Sequence, residues 1–385
     1  MLVIGVIVGA GLVFGTLYAA GSLTPRTVTV APAGTLTITR TLATTVTTSV
    51  GSVQTKWLPA AEYPLQIGGR TGVFAQQCVN STAYVYCIGG QDADYGPRNG
   101  VYTSSDISSA VSPSSGNITG WTPDSNLYPQ TIYGQSCVAS SGYVYCVGGT
   151  YDGGGDDINA SYYAPLASNG VVGAWSPTKS FPIYVDSQSC VPSSGYIYCV
   201  GGFGEALGTN RTSFPSNFVY YAPLSSSGIG SWSKSLSYPA DTYLPNCAAD
   251  DGYIYCIGGI DSEGNAVTTD YYAPLSPAGV GKWIQTTAYP IAAEGQSCAT
   301  SSGLIYCVGG VGSSSYLNAV YYADVSSGGI GTWYQASDYP QSVLTDCVIS
   351  SGYMYCVGGA GSSAEYGTTY YASLESLSGA ALVGV

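Results

Sequence analysis

Twelve cysteines stand in six pairs: Cys78/Cys87, Cys137/Cys146, Cys190/Cys199, Cys247/Cys256, Cys298/Cys307 and Cys347/Cys356, each nine positions apart. A tight hairpin satisfies that spacing. In Cys137-Val-Ala-Ser-Ser-Gly-Tyr-Val-Tyr-Cys146, a two-residue turn at Ser141-Gly142 sets Ser140 opposite Tyr143, and counting outward sets Cys137 opposite Cys146. Gly at the second turn position suits a type I′ turn, which needs φ > 0 there. Gly recurs at 195, 252, 303 and 352, whereas the first pair carries Thr82-Ala83. Counted from the turn, the cysteines fall on a non-hydrogen-bonded pair, where strands approach closely enough to be bridged. Six hairpin disulfides are therefore expected, each closing a loop of about ten residues and worth roughly 2–3 kcal/mol in the chain-entropy model. Zinc ligands usually recur at about two to four residues, so a metal reading fits poorly. Reduced buried thiols fit poorly with an even count at one spacing.

Residues 2–20 are uncharged and apolar. As a helix they would cover roughly 28 Å, close to one hydrocarbon core. Residues 1–21 are read as an apolar N-terminal helix: an uncleaved membrane anchor, a secretory signal ending at Ala19-Ala20-Gly21, or a buried assembly helix. The first two readings place the rest of the chain outside the cytoplasm, at the cell surface or beyond it. Residues 22–52 form a Thr-rich segment, with 12 Thr between positions 22 and 55. Thr27-Val28-Thr29-Val30 and the run from Thr35 to Leu42 alternate with period two, which is a strand pattern. The segment is either an extended stalk or a strand donated to a neighbouring subunit.

The composition limits function more than fold. The chain has 385 residues, 9 Lys+Arg, 22 Asp+Glu and no His, for a net charge of −13. Nucleic-acid binding needs clustered Lys and Arg, so that partner is excluded. Without His there is no Ser-His-Asp or Cys-His nucleophile and no His-ligated metal. With 53 Gly and 36 Tyr, and only 8% charged residues, the chain is built for strands and turns.

The cysteine pairs mark a repeat whose starts are 59, 53, 57, 51 and 49 residues apart. Each unit runs from a Cys strand and tight turn through Tyr-x-Tyr-Cys-x-Gly-Gly, a variable loop, Tyr-Tyr-Ala-x-Leu and Gly-x-Trp to a Tyr-Pro segment. Four strand-like segments in about 50 residues make one propeller blade. The pattern resembles the kelch repeat: an apolar strand ending in Gly-Gly, then a Tyr, then a Trp. The glycine pairs are 89/90, 148/149, 201/202, 258/259, 309/310 and 358/359, and the tryptophans are 121, 175, 232, 283, 333 and, sixth, Trp57. The resemblance implies an all-β, six-bladed kelch-like β-propeller over residues 53–385. Trp57 precedes the first Cys strand, and the last repeat has no Trp of its own. The N-terminal strand around Trp57 is therefore expected to complete the last blade and leave no open edge.

In such a blade the Gly-Gly loops and Tyr-Pro loops share one face, where the long variable loops also lie. Two candidate sites fall there. A polar ring before the inner cysteines, Gln76, Gln135, Gln188, Asn246, Gln296 and Asp346, could hydrogen-bond a sugar or a peptide, or simply wet a channel mouth. Carboxylates after Gly-Gly, namely Asp92, Asp94, Asp152, Asp156, Asp157, Asp261 and Glu263, would suit calcium, or are solvated acidic loops. No other cofactor is implied. Asn80, Asn117, Asn159 and Asn210 each sit in N-x-S/T and are candidate glycosylation acceptors.

Kelch-like propellers include a copper–tyrosyl oxidase and mutarotases, but the copper site of that oxidase uses His. A sialidase-type site needs three Arg, and Arg70, Arg98 and Arg211 show no convergent spacing. A paired-carboxylate glycosidase stays open, with no pair standing out. The expectation is a non-enzymatic binding or adhesion module at the cell surface, with carbohydrate or protein as partner. The alternative is a structural subunit of a surface layer or filament that binds copies of itself. Peptide mapping without reduction should recover only the six local bridges; Cys137 joined to any residue but Cys146 would overturn the hairpin register.

Overall fold

The computed structural model describes residues 57–379, apart from 65, 68–69, 93–97, 109–115, 152–155 and 207–213, and five strands between Val3 and Ser49. Trp57–Tyr371 is one compact unit; Met1–Lys56 with Ala372–Val385 is the other.

In the smaller unit the apolar N-terminal segment is not the expected helix. It forms two antiparallel strands, Val3–Gly9 and Leu12–Tyr18, and Arg26–Val30 adds a third. Val and Ile at positions 3, 4, 6, 7 and 8 favour strands, and Gly at 5, 9, 11 and 15 disfavours a helix. The Thr runs are strands, as their period requires, with Thr35–Thr39 paired to Thr45–Ser49. Among the described residues no helix is long and apolar enough to cross a membrane.

The larger unit is a six-bladed β-propeller. Blade 1 runs outward as Gln77–Asn80, Val85–Ile88, Val101–Ser104 and Trp121–Pro123. The inner hairpins of blades 2 to 6 are Ser136–Ser140 with Tyr143–Val147, Ser189–Ser193 with Tyr196–Val200, Asn246–Asp250 with Tyr253–Ile257, Ser297–Ser301 with Leu304–Val308, and Leu344–Ser350 with Tyr353–Ala360. All six cysteine pairs are in register and bridged as the spacing requires. Cys78 joins Cys87, Cys137 joins Cys146, Cys190 joins Cys199, Cys247 joins Cys256, Cys298 joins Cys307 and Cys347 joins Cys356, with Cα atoms 4.0–4.1 Å apart. Ser141 and Gly142 take φ of 50° and 79°, the two positive values of a type I′ turn, and blades 3 to 6 repeat them. Blade 1, without the Gly, closes instead with Ser81 Oγ accepting from the Tyr84 amide at 3.2 Å.

Closure follows the expected route. Leu58–Pro59 is the outer strand of blade 6, pairing Tyr371 with Leu58 and Tyr370 with Pro59. Trp57 then repeats what the other five tryptophans do. Each indole stands edge-on to the aromatic ring of a Tyr-Pro or Phe-Pro segment: Trp121 on Tyr63, Trp175 on Tyr128, Trp232 on Phe181, Trp283 on Tyr238, Trp333 on Tyr289, and Trp57 on Tyr339 at 5.0 Å. Each indole N–H also donates to the carbonyl two residues before that ring; Trp57 donates to Ser337 O at 3.3 Å. The core between blades 6 and 1, with Tyr355, Val357 and Tyr371 against Val73, Val85 and Ile118, is as buried as the others.

The Gly-Gly pairs sit where blades crowd. The first glycine of each pair has φ between 58° and 66°, and the second between 98° and 133°. A Cβ on Gly148 would lie 2.5 Å from Val185 O of the next blade, so no larger residue fits.

Trp57→Ala removes an 8%-exposed indole at the seam and should cost about 3–5 kcal/mol in denaturant unfolding. A loss no larger than that of Leu236→Ala, at a 57%-exposed site, would exclude closure by Trp57.

Candidate functional site

The inner strands surround an axial channel. The two cysteines of each bridge meet it differently. Cys87, Cys146, Cys199, Cys256, Cys307 and Cys356, on the second strands, are at most 1% exposed and border neither mouth of the channel. Their innermost-strand partners are slightly more open, and Cys78, Cys190, Cys247, Cys298 and Cys347 border the cavity on the Gly-Gly face. With every sulfur bridged, none of the twelve offers a thiolate to a metal or a substrate, so the cysteines staple the site without taking part in it.

Counting backward from each inner cysteine assigns every position a distinct role, and the sequence-predicted polar ring mixes two of them. One position before the cysteine stand Gln77, Ser136, Ser189, Asn246, Ser297 and Asp346. Each accepts a hydrogen bond from the cysteine amide of the following blade. Gln77 takes Cys137, Ser136 takes Cys190, Ser189 takes Cys247, Asn246 takes Cys298 and Ser297 takes Cys347, at 2.8–3.3 Å. The Cys78 amide donates to Asp346 Oδ2 and completes the circuit. Burial pushes the Asp346 carboxyl up to about 7, against the lowering effect of the donors it accepts.

Two positions before the cysteine, Gln76, Gln135, Gln188 and Gln296 are buried, and their amides are turned to the preceding blade. Their Nε2 groups donate to Val357, Ile88, Val147 and Ile257 carbonyls at 2.6–2.8 Å. These side chains clasp blades together rather than offering their amides as a ligand ring. Pro245 and Thr345 hold this position in blades 4 and 6.

Three positions before, the backbone turns left-handed at Ala75, Gly134, Ser187, Leu244 and Gly295, with φ of 52–66°. Each amide from Gly134 to Gly295 donates to the previous blade's carbonyl at this level, at 2.9–3.4 Å. Blade 6 lacks this residue: Leu344 pairs with Ala360 directly after Gly-Gly, and the ladder slips between Leu344 and Asp346.

Four positions before stands a rim that sequence reading missed: Phe74, Tyr133, Asp186, Tyr243 and Glu294. Each pairs with the residue after a Gly-Gly, namely Gln91, Thr150, Phe203, Ile260 and Val311. All five are partly exposed. A strict count back from each cysteine would have shown aromatic and acidic residues occupying this level. Burial and the nearby Asp157 raise Asp186 to about 7, and burial raises Glu294 as well. Tyr243 is raised by burial and then by Glu294 and Asp186. Below the rim lies a cavity of about 420 Å³ bordered by all six blades.

The opposite mouth differs. Its hollow, about 580 Å³, is lined by residues such as Ser81, Thr82, Ser140, Ser141 and Gly352, with no aromatic and no ionisable side chain.

Of the calcium candidates, the side chains of Asp157, Asp261 and Glu263 lie among the described residues. The side chains of Asp92, Asp94, Asp152 and Asp156 lie outside the described residues. Asp261 Oδ1 caps its own loop, accepting from the Glu263 and Asn265 amides at 2.9 Å, while Glu263 is exposed. Asp157 instead meets Asp186: Thr150 Oγ1 lies 3.2 Å from Asp157 Oδ1 and 2.9 Å from Asp186 Oδ2. Among the described residues no three His, Cys, Asp or Glu side chains gather to hold a metal ion. Of the sequon asparagines, Asn80 is at the opposite mouth, its Nδ2 donating to Ile349 O at 2.9 Å. Asn117 and Asn159 are half-buried, and Asn210 is outside the described residues.

No family model matches the sequence. Over 136 residues, 35% of this chain, it is 23% identical to Kelch-like protein 41b of Danio rerio, and the match spans only 20% of that relative's length. The solved structure of YjhT matches with a TM-score of 0.61 over 82% of this chain and 95% of the other, at 13% identity. The likeness is one of fold.

Buried acids set the pH response. In blade 4 the Gly258 amide donates to Asp270 Oδ1 at 3.1 Å, where other blades use a backbone carbonyl. Asp270 is fully buried and pushed up to about 8. A carboxyl whose folded pKa exceeds its unfolded value stabilises below the unfolded value, and that stability is lost as pH rises through the folded one. Melting temperature should therefore fall between about pH 4 and pH 8.5, and Asp270→Asn should flatten the fall. A melting temperature that rises over this range would contradict the burial of these acids.

Proposed function

We propose that this kelch-like β-propeller is a non-enzymatic binding module that works outside the cytoplasm and seats a polyhydroxylated ligand, a carbohydrate, at its axial mouth on the Gly-Gly face. The observation that carries the reading is the cavity of about 420 Å³ with Phe74 and Tyr133 in its lining, bordered at the same register level by Asp186, Tyr243 and Glu294. Aromatic faces stack on the apolar faces of sugar rings, and carboxyls accept from hydroxyls. The floor adds the hydroxyl and amide hydrogens of Ser189, Asn246 and Gln77, whose oxygens already serve the cysteine circuit. The volume is within the usual range for small-ligand sites, about 300–1,000 Å³.

Six bridged cysteine pairs suit an oxidising compartment, which supports display outside the cytoplasm. Glycans on Asn80, Asn117, Asn159 and Asn210 would add hydration to a surface with few charges. A structural subunit assembled through the N-terminal strands is the second reading, favoured by the period-two Thr runs alone.

Tyr133→Ala, at an aromatic that lines the cavity, should weaken binding of neutral oligosaccharides by about tenfold, the worth of one aromatic contact. Glycan-array screening followed by calorimetry checks this. Unchanged affinity in that variant for every sugar bound by the parent chain would move the site elsewhere.

A further inference from the structure

Asn80 lies two positions after the inner cysteine of blade 1, where blades 2 to 6 carry Ala139, Pro192, Ala249, Thr300 and Ile349. It borders the hollow of about 580 Å³ at the opposite mouth and also the stretch of channel behind it, about 300 Å³. Its amide is held on one side. Nδ2 donates to Ile349 O of blade 6 at 2.9 Å, while its contact with the adjacent Ser81 carbonyl is stretched to 3.5 Å. One N–H anchors the side chain across the seam, and the other is left over. An N-glycosidic linkage suits that arrangement, because a glycosylated amide nitrogen keeps a single hydrogen.

The hairpin of blade 1 breaks the repeat at the same place. Ser141, Ser194, Asp251, Ser302 and Ser351 open the tight turns of blades 2 to 6 at φ of 43–53°. Thr82 stands at that position in blade 1, and a β-branched residue is strained at positive φ. Blade 1 closes otherwise, with the Ser81 amide donating to Tyr84 O at 2.9 Å and Ser81 Oγ accepting from the Tyr84 amide. The blade that gives up the turn is the one that reads Asn80-Ser81-Thr82, an acceptor sequence with its hydroxyl two positions after the asparagine.

We propose that Asn80 carries an N-linked glycan whose first sugars sit in the opposite mouth and close the channel at that end. This rests on display outside the cytoplasm and picks out one modified residue and its place. In the transfer, a bond forms from Nδ2 to C1 of the sugar as the bond from C1 to the phosphate of an activated glycosyl donor breaks. Nδ2 gives up one proton, and the phosphate leaves with the electron pair. The hydrogen kept on Nδ2 is the one Ile349 O accepts. Hydroxyls such as those of Ser140, Ser141 and Ser301 line the hollow, and its volume is within the usual range for small-ligand sites, about 300–1,000 Å³. With this end shut, a guest reaches the axis from the Gly-Gly face alone.

The full chain would be secreted from an N-glycosylating host and its peptides mapped by mass spectrometry. Asn80 should carry a glycan that resists a peptide N-glycosidase while the chain is folded and is released once the chain is reduced and unfolded. Thr82→Val removes the acceptor hydroxyl and keeps the branched shape; it should lose the sugar at Asn80 entirely while all six bridges form. A bare Asn80 beside intact bridges would overturn the proposal and leave the extracytoplasmic reading standing. Release from the folded chain as fast as from the unfolded one would overturn the seating in the mouth. Reduced cysteines in the chain isolated from its own cells would overturn the extracytoplasmic reading itself.

Discussion

The amide of each inner cysteine is held by a side chain from the blade before it, and that contact goes once around the axis. Five of the links use serine, asparagine or glutamine, and the sixth uses Asp346 on Cys78. The arrangement answers a problem that every propeller has. The inner edge of each blade would otherwise present unpaired backbone donors to the channel, and a buried donor without a partner costs free energy. Because the donors belong to the disulfide-bonded cysteines, the strand carrying each N–H is also the strand fixed to its neighbour by a covalent bridge. Blade-to-blade register and within-blade register therefore meet at one residue. The Trp-aromatic contacts do the same work at the outer edge, and Trp57 links the two ends of the unit through them.

Most of the fold is legible in spacing because the repeat enforces it. The nine-residue cysteine interval implies the hairpin register from Ser140↔Tyr143 out to Cys137↔Cys146, and the same count places Cys87, Cys199, Cys256, Cys307 and Cys356 opposite their partners. The displaced Trp57 implies the closing strand. The apolar N-terminus reads differently in sequence and in structure. Its length and hydropathy suit a membrane helix, while the Val, Ile and Gly that fill it favour the paired strands it forms. Overall hydropathy hides the local preference there.

The site is harder to read because polar residues near the axis do unrelated jobs at adjacent positions. Gln76 and Asp346 look alike as polar groups before a cysteine, yet one clasps a neighbouring blade and the other accepts the cysteine amide across the seam. Only strict register separates them. The meeting of Asp157 with Asp186 is beyond any local pattern, because the residues come from different hairpins brought together through Thr150. The rim at Tyr133, Asp186, Tyr243 and Glu294 carries no motif; it exists as a ring only once the chain is wound.

The residue missing after Leu344 has a consequence for how many ways a guest can lie in the mouth. A mouth with six equal sectors would offer an asymmetric ligand six equivalent poses, and that degeneracy would contribute about 1 kcal/mol of apparent affinity as a purely statistical factor. Here five sectors carry a left-handed turn and the sixth does not, so the rotational degeneracy is lifted. The propeller gives up that statistical gain and obtains a preferred azimuth.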